Sequence, residues 1–552
     1  MNDPDRADAD ISLTDIAAAE RLAGVDYTPA ERAQLTEGLA LQVSRARARR
    51  GTTLPQDLQP ASVFDPRLPG FVMPNTLKLG GVHSILPSAT PVPFPADDAT
   101  IAYATVVELS GWIRTGALTA ERLTRIYLER IERYGPRLEC IALATPELAL
   151  RQARAADAAL ANGRWMGPLH GIPYGCKDLL DTAGLPTRWG AEPYLDRIPA
   201  SDSTVVRRLA GAGAVLVAKT SLGALAYGDI WHGGRTRNPW NLEEGSSGSS
   251  AGSGSGTAAA LFGFSIGTET LGSIVSPATR CGGTGLRPTF GRVSRAGAMA
   301  LCWSLDKVGP ICRGVADTGL VLAALNGFDA ADAGSIDAAL MPAPADVSGL
   351  TVGWFPADMT DPLDRASLDA IRRLGVTVLE LSRAELPYET LVDVLYAEAA
   401  AAFEELTLSG RDDLLTWQEP QAWPNAFRRA RFISAVDLVQ LDRLRRLVMR
   451  ETDRWFQSVD AIIGGPNVGP MGIITNFTGH PCLALRSGFR EIATRTSRGL
   501  DMPVVADAGP LHRVPHSVWL WGRLFDESTI LALGQALEQE LGVASERPAG
   551  FA

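Results

Sequence analysis

Three stretches of this chain hold residues whose types and spacing could do chemistry. Gly171-Ile172-Pro173 leads into Lys177-Asp178. Further on come Gly248-Ser249-Ser250-Ala251-Gly252 and then Gly267-Thr268-Glu269-Thr270-Leu271-Gly272-Ser273. Serines beside a lysine offer a nucleophile and a base, provided the lysine is neutral. Lysine in water titrates near ~10.4, so it must be desolvated to accept a proton at neutral pH, and burial shifts lysines by several units. The apolar run Gly171–Cys176 ahead of Lys177 is compatible with such burial.

On composition alone, the run 246–256 reads as a flexible Gly/Ser linker. Its flanks argue otherwise. It feeds directly into the apolar stretch Ala258–Gly267 rather than joining two separate segments. Glycine and serine also serve where backbone packs closely or presents N–H groups to an anion.

Taken together these motifs resemble the amidase signature family of serine hydrolases. That family pairs a lysine in a GIPxxxKD context with a Gly-Gly-Ser-Ser cluster and a later Gly-Ser loop. The matching residues here are Lys177, Ser249 and Ser273. Counting forward from Asn238-Pro239-Trp240-Asn241 and back from Ser273 both lead to Ser249, leaving Ser246-Ser247 as a look-alike. The resemblance runs from about Ile101 to Phe525. It implies an amide-cleaving enzyme with no cofactor and no metal. Ser273 would attack the carbonyl, Ser249 would relay the proton, and Lys177 would be the final base. The N–H groups of Thr270, Leu271, Gly272 and Ser273 would form the oxyanion hole, and the Gly248–Ser249 peptide would be cis. The chain departs from the pattern in two places. Leu271 stands where glycine is common, and Val275 and Ser276 occupy both positions where relatives can carry an arginine used for acidic substrates. The expected substrate is therefore a neutral or apolar small-molecule amide, with esters and carbamates as further options.

Four rivals stand beside this reading. The first is a glutamine-dependent amidotransferase A-type subunit. The second is an α/β-hydrolase-type serine esterase, because Gly263-Phe264-Ser265-Ile266-Gly267 matches a GxSxG elbow, as does the stretch around Ser250. An elbow needs a helix after the serine, and the residues after Ser265 start a helix poorly. His480, His512 and His516 could complete a triad in sequence order. The third is a binding protein on a hydrolase scaffold, against which all three catalytic positions are intact. The fourth, a metal site, has no HExxH to support it.

The elements that must position these residues alternate short apolar strands with helices, which argues an α/β fold. The resemblance adds a single large mixed β-sheet covered on both faces by helices. Ser12 is placed to cap a helix ending at Gly24, and Thr28-Pro29-Ala30-Glu31 opens a second one running to Arg50. The basic end of that helix, Arg45–Arg50, suits a helix C-terminus better than a nucleic-acid patch. Residues 52–98 are proline-rich and expected to lie as a strap or linker. The chain thus divides into a helical and proline-rich N-terminal extension, 1–98, and a catalytic domain, 99–552. Residues 167–187 read as strand, tight turn and strand, placing Lys177 on a buried strand. Lys219, after the strand-like Ala214–Ala218, is a second lysine candidate, expected at a solvated strand end. Helices are expected over 120–134, 146–162, 205–212, 317–326, 391–408, 435–456 and 527–541, with strands at 349–355 and 461–464. A loop over 475–481 resembles one near the sheet's end in the family.

The 552 residues allow a large core, with 46% hydrophobic and 21% charged residues. A net charge of −10 disfavours nucleic acid and anionic membranes as partners. Six cysteines with no CxxC pair read as reduced, with Cys176 as a small buried residue. The acidic start Met1–Asp10 lacks an apolar signal core, and no apolar run reaches membrane-span length. The expected setting is cytoplasmic, with a small-molecule amide as partner and a homodimer as an open option.

Overall fold

The computed structural model describes residues 11–74, 93–344, 346–466, 469–496, 505–506 and 508–551. Its centre is a mixed sheet of eleven strands. In chain order these are β1 (Ile141–Ala144), β2 (Pro173–Lys177), β3 (Val215–Thr220), β4 (Phe264–Glu269), β5 (Thr284–Arg287), β6 (Lys307–Cys312), β7 (Thr351–Trp354), β8 (Thr377–Glu380), β9 (Ala461–Gly464), β10 (Cys482–Ile492) and β11 (His512–Gly522). They lie side by side as β1-β3-β2-β4-β6-β5-β10-β11-β9-β7-β8. β3, β2 and β4 run parallel, as do β8, β7 and β9. The strands between these groups pair antiparallel, and β1 is antiparallel to β3. Helices cover both faces, which is why the central strands read as unbroken apolar runs such as Val215-Leu216-Val217-Ala218.

Register places the chemistry. Lys177, the last residue of β2, lies opposite Thr220, the last of β3. Glu269 ends β4 opposite Lys307, the first residue of β6. The carboxyl ends of three parallel strands therefore meet at one place, where α/β folds commonly set their sites.

The Gly/Ser run is not a linker. Ala251–Ala258 forms a helix whose every residue is buried. Small residues are required there by contact. A Cβ on Gly252 would lie 2.2 Å from the Cys140 carbonyl oxygen.

At the N-terminus, α1 (Leu13–Ala23) is capped by Ser12 and stopped by Gly24 in the left-handed conformation. α2 (Pro29–Arg50) opens on a Thr28–Glu31 capping box. Its basic end is tied to the catalytic part, with Arg49 gripping Glu404 through two hydrogen bonds of 2.6 and 2.8 Å. Residues 52–74 form no helix or strand and lie across the main body, as a strap would. Phe64 packs edge-on against Phe290 beneath the Arg445 guanidinium, and Phe71 meets Phe525. Of the rest of the expected strap, 93–97 form no helix or strand and Asp98 already opens the helix Asp98–Tyr103, while 75–92 and the acidic start, 1–10, lie outside the described residues.

Several expectations need correction. Residues 167–187 hold one strand, not two; past Lys177 the chain turns, and Leu180 makes only an isolated bridge to Ala298. The helix expected over 391–408 breaks at Phe403, whose φ of −113° and ψ of 30° leave the helical region. Thr475 and Asn476 sit in a helix, Pro470–Phe477, rather than in a loop. Lys219 is fully buried, not solvated. The helix Glu527–Leu541 and the strand Ala461–Gly464 have the expected bounds.

Candidate active site

Lys177 is fully buried, and its side-chain nitrogen is surrounded by oxygens. Nζ lies 2.9 Å from Ser249 Oγ, 3.0 Å from Ser250 Oγ, 2.9 Å from Thr268 Oγ1 and 3.3 Å from the Thr268 carbonyl. Burial holds the lysine well below its ordinary pKa, although the Asp306 and Glu269 carboxylates pull the other way. None of the four contacts is a carboxylate, so no ion pair offsets the loss of water.

Ser249 follows Gly248 through a cis peptide bond. The backbone N–H of Ser250 donates to the Ser273 carbonyl at 3.2 Å, which draws the two serine clusters together. Ser273 itself is only 8% exposed. In its loop the left-handed residue is Gly272, with φ of 84°, so Leu271 keeps a conformation open to leucine. Among the described residues, no hydrogen bond takes the backbone N–H groups of Leu271, Gly272 or Ser273. These donors remain available to an incoming oxygen.

Two buried carboxylates brace this loop. Glu269 Oε2 accepts from the N–H groups of Ile274 and Val275 at 2.9 and 3.1 Å, holding the start of α3 (Val275–Cys281) against the strand. Its other oxygen takes Arg287 at 2.7 Å. Burial pushes Glu269 up, but the positive charges of Arg287 and Lys307 outweigh it and leave the carboxyl below its ordinary value. Asp306 accepts from Thr270 Oγ1 at 2.6 Å and from the N–H groups of Leu301 and Cys302 at 2.8 and 2.9 Å. Lys307 beside it is lowered by burial to about 7.

A cavity of about 560 Å³ opens against Thr268 and Thr270, with Leu179, Trp189 and Ala226 among its walls. Leu225 and Ala226 both have positive φ, 51° and 64°. Such backbone is costly for side-chain-bearing residues and persists only where its surroundings fix it. Here Leu225 N–H donates to Trp189 O, and its carbonyl accepts from Trp423 Nε1 at 2.9 Å.

The structure does not bring the rival residues together. Ser265 lies inside β4, fully buried, with its hydroxyl donating to Ser253 O at 3.0 Å. The strand continues through Glu269, so there is no elbow at Ser265. Ser250 Oγ is committed to Thr268, accepting from its N–H at 3.1 Å and donating to its carbonyl at 3.0 Å. The histidines lead elsewhere. His480 pairs with Thr478 and is lowered by burial to about 3. His516 meets Asp364 at 2.6 Å, and His512 lies 3.6 Å from Glu243. Among the described residues, Asp361, Asp364 and His516 are the grouping with metal-ligand chemistry, and Arg490 already supplies a positive charge to it at 2.6 Å from Asp361. All six cysteines are free and buried, and burial pushes Cys176 up to about 12.

Lys219 is paired rather than free. Nζ donates to Leu180 O and Thr187 Oγ1, both at 2.8 Å, and lies 3.3 Å from Asp178 Oδ1. Its role is to hold the turn after Lys177. Sequence reasoning missed this pair, and it missed Ser250, Thr268, Glu269 and Asp306 as neighbours of the site. Glu269 carried a readable signal, the one charged residue in the stretch Phe264–Ser273.

A buried lysine among serine hydroxyls, at the ends of a mixed sheet, is an arrangement suited to amide hydrolysis without histidine. Comparison with known proteins agrees. The family model described as Amidase matches residues 122–471, more than half of the chain. The A-type subunit of the glutamyl-tRNA(Gln) amidotransferase of Methylococcus capsulatus is 31% identical over 485 residues, covering 81% of this chain and 99% of that protein. Its counterpart in Moorella thermoacetica is 32% identical over 503 residues, covering 81% and 98%. The crystal structure of a peptide amidase from Stenotrophomonas maltophilia shares 28% identity at a TM-score of 0.67, covering 82% of this chain and 99% of that one. The chain belongs to the amidase signature family and is a hydrolase acting on carbon–nitrogen bonds. Among the described residues no helix is long and apolar enough to cross a membrane.

Proposed function

We propose that this protein hydrolyses a neutral or apolar small-molecule amide through Ser273, Ser249 and Lys177, by way of an acyl-enzyme. The observation that carries this reading is the hydrogen-bond set of Lys177. A neutral amine has two N–H donors and one lone pair. The Ser250 proton goes to the Thr268 carbonyl, so Ser250 can only accept from Lys177. The Thr268 carbonyl can likewise only accept. With the two N–H groups directed at these acceptors, the lone pair is left for a hydroxyl proton. Ser249 and Thr268 both present a hydroxyl at 2.9 Å, and Ser249 is the one whose neighbour, Ser250, is tied to the Ser273 backbone.

In this mechanism the Ser273 proton passes to Ser249 as the Ser249 proton passes to Lys177. Ser273 Oγ bonds to the carbonyl carbon, and the oxyanion is held by the N–H groups of Thr270, Leu271, Gly272 and Ser273. The carbon–nitrogen bond then breaks as the proton returns along the same path to the departing nitrogen. Water repeats the sequence and releases the acid. Two neutral residues, Val275 and Ser276, stand where relatives can carry an arginine used for acidic substrates, which favours an uncharged substrate.

A second reading rests on the names of the curated relatives. It makes this chain the A-type subunit of a glutamine-dependent amidotransferase, with glutamine as the amide. Ammonia release from the purified protein, measured on glutamine and on a panel of neutral primary amides and anilides, separates the two. Turnover of neutral amides supports the first reading, and turnover confined to glutamine replaces it with the second.

A further inference from the structure

The cavity at Thr268 and Thr270 is not walled by the catalytic part alone. Gln56, Asp57 and Gln59 also line it, and all three come from the segment that precedes the region matched by the family model. The side-chain amide of Gln56 grips one backbone unit from both sides. Its Nε2 donates to the Ala300 carbonyl, and its Oε1 accepts from the Ala300 N–H at 3.2 Å. Gln59 Nε2 donates to Asp332 Oδ1 at 2.9 Å, and Asp332 in turn holds Arg295, another lining residue, at 2.8 Å.

This grip leads to the nucleophile loop in a few bonds. Leu301 and Cys302, next after Ala300, donate to Asp306, whose other oxygen accepts from Thr270. The chain is anchored before and after residues 54–59, by Arg49 on Glu404 and by Phe64 on Phe290. Pro66 is buried against Gly479. A tether at each end makes 54–59 a fixed wall rather than a loose flap.

We propose that residues 54–59 are a substrate-specificity element. In this role Gln56 sets the width of the cavity by clamping Ala300, and Asp57 faces the bound group. This rests on the reading of Ser273 as nucleophile. The group recognised is the part of the amide remote from the scissile bond. A narrow wall of amide and carboxylate character favours compact, polar-tipped groups over long alkyl chains.

The test uses the full-length protein and two alkyl fluorophosphonates, one short-chain and one long-chain. Each bonds phosphorus to the serine oxygen and expels fluoride. The quantity read is the ratio of long- to short-probe labelling rates at Ser273, located by peptide mass spectrometry. Gln56→Ala should raise this ratio by about tenfold, which corresponds to about 1.4 kcal/mol of discrimination. Asp57→Trp, at an exposed position, should lower it by filling the cavity. Arg67→Ala, on the strap but away from the cavity, serves as the control. A general loss of stability would lower both rates together and leave the ratio alone. Ser273 labelled in every variant at the wild-type ratio overturns the specificity role. No labelling of Ser273 even in the wild type overturns the catalytic reading beneath it, and the specificity role with it.

Discussion

Replacing Lys219 by alanine should destabilise the fold more than a generic lysine would. Lys219 and Asp178 are 0% and 1% exposed, and their charged atoms lie 3.3 Å apart. Removing one member of a buried pair leaves the other uncompensated, at a cost of about 3–5 kcal/mol. The variant also loses two charge-assisted hydrogen bonds, to Leu180 and Thr187, each worth about 1.5–3 kcal/mol net. Burial already raises Asp178 above its ordinary pKa despite the lysine beside it. Without Lys219 it should rise further. A carboxyl whose folded pKa is raised stabilises the fold below its unfolded pKa and loses that contribution as pH rises through the folded value. The difference between Lys219→Ala and wild type should therefore be largest at neutral and alkaline pH and shrink towards pH ~4. Urea unfolding followed by tryptophan fluorescence at several pH values measures this. Asp178→Asn with Lys219→Met should cost several kcal/mol less than the two single changes summed, because neither charge is then stranded. Additive single effects, or a Lys219→Ala cost within ~1 kcal/mol that ignores pH, would refute the buried-pair reasoning.

Three further outcomes follow from the site and its supports. Lys177→Ala should lower kcat/KM on amides by about 10³-fold or more with the fold intact by circular dichroism, and Lys177→Arg should do no better because guanidinium stays charged. Leu271→Gly, by removing a buried side chain next to Gly272-Ser273, should broaden acyl preference in a chain-length panel; an unchanged profile would show that Leu271 has no part in substrate selection. Gly252→Ala should abolish soluble expression or lower the unfolding midpoint sharply, since its Cβ would clash with Cys140 O in the helix Ala251–Ala258.

Much of the scaffold was legible because it is written locally. Ser12, Thr28 and Glu31 cap helices through neighbours three residues away, and those helices form within a few residues of the expected bounds. The strand carrying Lys177 was legible as an apolar run. What escaped was long-range or conditional. Lys219 sits in the same apolar context as Lys177, and only the fold shows that one meets hydroxyls and the other a carboxylate. The Gly/Ser helix has a composition that favours flexibility, and it is ordered by contacts with Cys140, Pro277 and Phe262, which no local pattern encodes. Gln56 reaches Ala300 across 244 residues from a stretch with no periodicity to read.

The central claim is that a neutral, buried Lys177 drives Ser273 through Ser249. It is tested most directly by the rate at which a short-chain fluorophosphonate labels the protein as a function of pH, in wild type and in Lys177→Ala, with the labelled peptide sequenced. The account predicts label on Ser273, with a rate that climbs through an apparent pKa well below the 10.5 of an ordinary lysine. In Lys177→Ala that limb should vanish along with most of the rate. Label on Ser265 or Ser250, or a Lys177→Ala protein that keeps both the wild-type rate and its pH dependence, would contradict it.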